Sequence, residues 1–197
     1  MTDTLKIIDQ VLYTDEWGVF CKNLYVEGFL KEPNAAAVKY LFYHPMDMIR
    51  FIEDNYGNYY HIYYHYHLPD CAYKDRKALY HFAESLLQSS HFSLLGSILG
   101  RSDKGADGFF PHEVIRDLLE ALENEKLDEH VYIGYLNSRG ARTVTDGTNL
   151  RHRGIQFMET ARSLAISYPH TASILRDIAE DYMREARRDH LHSELDP

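Results

Sequence analysis

Arg139, Arg142, Arg151 and Arg153 bracket the segment from Thr143 to Asn149, and Asp146 is the only acid among them. Guanidinium forks hold carboxylate or phosphate through paired hydrogen bonds, and the segment leads toward a helix start whose exposed N–H groups favour an anion. The arginines are therefore the anion-binding candidates, suited to a nucleotide, a phosphorylated ligand or an acidic partner loop. The competing reading is that they pair with acids elsewhere and fasten the last third of the chain to the rest.

Three histidines invite a metal reading. His61, His65 and His67 would share one face of a strand, since side chains two apart point the same way. Along a strand, however, they span too far for a tight tetrahedral site, and no acid or cysteine at ligand spacing completes one. No metal or cofactor is assigned. Around them lie six tyrosines between Tyr56 and Tyr66. Tyrosine offers broad, stiff contact area with a polar tip, so Tyr59 and Tyr63 are partner-binding candidates, as are the acids Asp117, Glu120 and Glu123.

Those acids belong to a larger asymmetry. From Asn137 to Pro197 nine arginines face nine acids and no lysine occurs, so the entire formal charge of −9 falls on residues 1–136. An acidic balance argues against nucleic acid as the main partner, because phosphate binding draws its affinity from clustered cations. It favours a basic protein. On Asp177, Glu180, Asp181 and Glu185 the interleaved Arg176, Arg184, Arg187 and Arg188 point to a salt-bridged solvent face rather than paired catalytic acids. Serine-hydrolase elbow, phosphate-binding loop, dinucleotide fingerprint and HExxH are all absent from the 197 residues.

Composition matches an ordinary globular protein, with 45% hydrophobic and 26% charged residues. The opening Met-Thr-Asp-Thr-Leu-Lys lacks the basic start and apolar core of a signal peptide, and no apolar run approaches the roughly 20 residues of a membrane span. Together they point to a cytoplasmic protein without membrane contact. Cys21 and Cys71 read as reduced thiols.

To position these groups, residues 5–30 read as a hairpin around Thr14-Asp15-Glu16. Helices are expected from Asn34 and from Pro45, then a strand where Tyr60, Ile62, Tyr64, Tyr66 and Leu68 alternate with Tyr59, His61, Tyr63, His65 and His67. Apolar residues at helical spacing follow: Leu79, Phe82 and Leu86 behind an Asp75 cap, then Leu94, Leu95 and Ile98, then Ile115, Leu118 and Leu122 behind Pro111. Val131 to Tyr135 reads as a short strand. Tyr168-Pro169 separates two long closing helices, an αα-hairpin at about 150–190, with Ile155, Met158, Ala161, Leu164 and Ala165 inward on the first.

Asn137-Ser138-Arg139-Gly140, Gly154-Ile155-Gln156, Tyr168-Pro169 and Ile174 to Ala179, with Asp181-Tyr182 and Glu185-Ala186, resemble the carboxy-terminal segment of a set of uncharacterised bacterial proteins. Phe157 departs from that pattern, which tends to carry an acid after the glutamine. The resemblance covers about a third of the 197 residues and implies a bacterial source and a helical hairpin, but no activity.

The expected fold is thus a mainly helical α+β single domain, with a β-containing lobe over 1–70 and a helical lobe over 71–197. The expected function is non-enzymatic binding of a basic protein, in the manner of an immunity or antitoxin-like inhibitor of a basic bacterial toxin. A nucleotide or small-anion binding protein or enzyme of a bacterial defence system, using the arginine segment, is the alternative. Metal-dependent hydrolysis through the histidines is the second.

Overall fold

The structure is a computed structural model that describes residues 35–54, 56–140 and 147–195. The hairpin expected over 5–30 and the candidate Arg142 lie outside the described residues. What is described is mainly helical: α1 Ala35–Tyr43, α2 Pro45–Asp54, α3 Tyr56–His65, α4 Arg76–Gln88, α5 Phe92–Leu99, α6 Glu113–Leu122, α7 Glu125–Ser138, α8 Thr148–Leu164 and α9 Pro169–Leu195. None of the described residues forms a strand. The chain divides into two compact units between Leu94 and Leu95.

In the first unit, Leu41 and Phe42 of α1, Met48 and Ile49 of α2, Ile62 of α3, and Leu79, Phe82 and Leu86 of α4 form the core. Asp75 starts α4 by accepting the Ala78 N–H at 3.0 Å, as its sequence position suggests. The strand expected at 59–68 is instead α3 and the turn after it. Alternation of tyrosine with histidine satisfies β-propensity, yet a single core is filled by Ile62 and Tyr66, four apart. Tyr66 stacks on Phe82 at 6.0 Å and its hydroxyl donates to the Val38 carbonyl at 3.0 Å. The remaining rings pair at helical spacing, Tyr59 with Tyr63 and Tyr60 with Tyr64.

The second unit is built on α6 to α9. Its core holds Ile115, Leu118, Leu119, Leu127, Val131, Ile174, Leu175, Ile178 and Tyr182. The short strand expected at 131–135 is the interior of α7, which Asn124 caps by accepting the Leu127 N–H at 3.0 Å. Five residues read alone cannot distinguish a strand from one buried face of a longer helix. The αα-hairpin forms as expected. A Cβ at Gly154 would lie 3.0 Å from Met183 and 3.1 Å from the Ala179 carbonyl, so α8 and α9 pack antiparallel at close range. Gly154 buries this seam together with Leu150, Ala161 and Leu164, whereas Ile155, expected inward, is 42% exposed.

Candidate functional site

The start of α9 gathers the acids of α6 and α7. The His170 and Thr171 N–H groups, freed by the first turn, donate to the two Glu120 carboxylate oxygens at 3.1 and 2.9 Å. The Tyr168 hydroxyl donates to Asp117 at 3.2 Å. His170 Nδ1 lies 2.5 Å from Asp128 Oδ2. Asp117 and Glu120 therefore hold α9 to α6, while Glu123, in the left-handed conformation that ends α6, stays exposed.

Beside this junction α7 and α9 frame a groove of about 520 Å³ lined by Glu125, Asp128, Glu129, Tyr132, His170, Ser173, Arg176 and Asp177. Four of these are carboxylates, against one arginine and one histidine. Burial lifts the Asp177 carboxyl above its ordinary value and Glu180 adds to the shift, against Arg176. Burial also lifts Asp128, outweighing the pull of His170; its Oδ1 is enclosed without a protein partner. In turn, the hydrogen bond that Asp128 accepts from it raises the His170 imidazole. The groove can accept a positive charge, since a cation entering it would relieve crowding that the ionised carboxylates sustain on their own.

Both shifts give the pair the same pH dependence. A histidine raised on folding contributes fully below its ordinary value of 6.5 and loses the contribution as pH climbs through the folded value; a raised carboxyl likewise favours the fold toward lower pH. The midpoint of thermal unfolding should therefore fall more for the wild type than for His170→Asn between about pH 6 and pH 9. Parallel curves for the two proteins would contradict the pairing.

Of the anion-binding candidates, Arg139, Arg151 and Arg153 lie among the described residues. Arg139, just past α7, donates to Asp181 at 3.2 Å and to Glu185 at 3.1 Å, and its guanidinium lies 4.6 Å over the Tyr182 ring. Tyr182 also meets the Tyr135 hydroxyl at 3.1 Å and stacks on Phe157 at 5.7 Å. The Arg139 side chain is only 19% exposed, so Arg139 joins α7 to α9. Arg139→Ala should lower unfolding stability by about 2 kcal/mol in urea titration, because charged hydrogen bonds are lost and Asp181 is left beside Glu185. Unaltered stability would return Arg139 to the ligand reading. Arg151 and Arg153 are exposed in the first turns of α8.

Tyr59 is half-buried, and its hydroxyl donates to Ser93 at 3.2 Å; Tyr63 is half-buried too. Because the segment is a helix, its outward pair is Tyr60 and Tyr64, 47% and 56% exposed. His65 and His67 are exposed, and the described residues contain no group of three or more His, Cys, Asp or Glu placed to hold a metal. No described helix is long and apolar enough to cross a membrane.

Sequence reasoning missed Asp128, His170 and Arg116. Arg116 is 1% exposed inside α6 and donates to Asp107 at 2.5 Å. A signal for it exists: it stands three residues before Leu119, downstream of the turn-forming Asp107-Gly108. No protein-family model, curated protein or solved structure matches this chain.

Proposed function

We propose that the chain is a non-enzymatic protein-binding protein that holds a basic protein partner against the α7–α9 groove, as an immunity or antitoxin-like inhibitor of a basic bacterial toxin would. The observation that carries this reading is the set of Glu125, Asp128, Glu129 and Asp177 around one groove, with the Asp128 and Asp177 carboxyls both lifted. Lysine or arginine side chains of a partner supply the charge that the groove lacks, and the exposed Glu123 extends the acidic surface. Tyr60 and Tyr64 give the amino-terminal unit an aromatic contact face of its own.

Replacing Glu123, Glu125 and Glu129 together with lysine should slow association with the basic partner by about tenfold or more at low salt, while the wild-type on-rate should fall as salt is added. Asp117 and Glu120 are unsuitable for that test because their carboxylates hold α9 in place. An unchanged on-rate at low salt would contradict the proposal. A second reading, a nucleotide or small-anion binding protein or enzyme of a bacterial defence system, draws support from Arg151 and Arg153, exposed in the first turns of α8.

A further inference from the structure

The acidic groove carries a titratable cation in its own wall. His170 Nδ1 meets Asp128 Oδ2 at 2.5 Å inside the α7–α9 lining, and Asp128 Oδ1 is enclosed without a protein partner. The Asp128 side chain is 12% exposed and that of His170 23%, so the pair is sheltered while solvent protons still reach the imidazole. Acids surround it. From α6, Glu120 holds the α9 N–H groups and Glu123 adds its charge, while Asp117 accepts from Tyr168, whose ring lies against the Arg116 guanidinium. From α7 come Asp128, Glu125, Glu129 and the phenol of Tyr132; α9 itself supplies Asp177 and Arg176. Of these groups, the imidazole is the one whose ordinary chemistry changes its charge near neutrality.

We propose that His170 gates this groove by its charge: as imidazolium it answers the carboxylates from within and weakens the hold on a basic partner, and as neutral imidazole it leaves them to the partner's cation. This regulation rests on the reading of the groove as the partner's site. Neutral His170 still donates its Nδ1–H to Asp128, so the hydrogen bond persists in both states. What changes is the charge of the groove, more negative by one unit once the proton has passed to solvent. Asp128 and Glu120 favour the charged imidazole, so the proton leaves above the ordinary value of 6.5, whereas a partner's lysine stays charged to about pH 10. Binding therefore strengthens between about pH 6 and pH 9, opposite in sense to the stability that the same pair contributes and loses over that range.

The test uses the full chain and, as probe, pentalysine blocked at both ends, titrated calorimetrically at low salt at pH 6 and pH 9. From the lower to the higher pH, affinity should rise about tenfold more for the wild type than for His170→Asn, in which every other titrating group is retained. A second readout needs no change at His170: saturating peptide should lower the midpoint of the His170 ring titration, followed by NMR, by about one pH unit, because coupling between two binding events is reciprocal. Glu125→Lys/Glu129→Lys should bind the peptide at least about tenfold more weakly, which locates it in the groove. Equal pH dependence with and without His170, or a His170 titration that the peptide does not move, would overturn the gate and leave the groove reading standing. No binding at pH 9, or undiminished binding by the Glu125→Lys/Glu129→Lys variant, would overturn that reading and the gate with it.

Discussion

Replacing Gly134 with valine should cost the carboxy-terminal unit about 3 kcal/mol or more, enough to lower its thermal midpoint by about 10 °C. Gly134 lies in the middle of α7, where glycine is itself unfavourable by roughly 1 kcal/mol against alanine. Its reason for being there is contact with α5. A Cβ on Gly134 would stand 2.5 Å from the Gly96 carbonyl oxygen and 2.7 Å from the Ser97 Cα. A Cβ on Gly100 would stand 2.5 Å from both the Tyr135 nitrogen and the Val131 oxygen. These are backbone atoms, so no side chain can turn aside and the helices must separate. Gly140→Ala is the comparison: nothing lies within 4 Å of its added carbon, although its φ of +68° makes alanine strained, and it should cost about 1 kcal/mol. Equal urea midpoints for Gly134→Val and Gly140→Ala would show that α5 and α7 do not meet through these glycines.

The second large effect concerns a charge. Asp107→Ala should cost about 3 kcal/mol, because it leaves the Arg116 guanidinium buried with Glu113 at 3.8 Å as its nearest remaining acid. Arg116 Nε and Nη1 have no protein partner, and the group packs 5.1 Å from the Tyr168 ring. Its burial is therefore poorly compensated even in the intact protein. The double variant Asp107→Ala/Arg116→Met should accordingly be more stable than Asp107→Ala alone, since removing both ends of a buried pair removes the desolvation cost with it. Additive losses would contradict this account. Although burial raises Asp107, the Arg116 and Phe109 hydrogen bonds bring it below its ordinary value of 3.8. The contribution of the pair is thus present above that value and disappears as pH falls through the folded one.

How far the sequence could be read depended on whether the deciding information was local. The Asp75 cap, the helical spacing of Leu79, Phe82 and Leu86, and the break at Tyr168-Pro169 are local, and each forms as expected. The two expected strands failed for a different reason. Val131 to Tyr135 is rich in β-formers, but Gly134 there answers to α5, more than thirty residues away in sequence. Tyr59 to Leu68 alternates perfectly well, yet its burial follows the helix that Ile62 and Tyr66 require.

The site was legible in sign and not in residues. The excess of acids before Asn137 is visible in sequence, but which carboxylates bond inward is not. Asp117 and Glu120 turn to α9 over about fifty residues, and Asp181 and Glu185 of α9 hold Arg139, although Asp181 also meets Arg184 at 3.6 Å along its own helix as expected. Long-range ion pairs leave no periodic trace, so the same charges read equally well as a binding face or as ties.

The central claim is that the α7–α9 groove holds a basic protein. Native mass spectrometry of the chain isolated gently from its own cells, beside a Glu125→Lys/Glu129→Lys variant prepared in the same way, tests it most directly. A basic protein bound in stoichiometric amount to the wild type and lost from the variant is the predicted result. The same partner on both proteins, or a wild type carrying only a small-molecule or metal adduct, would contradict it.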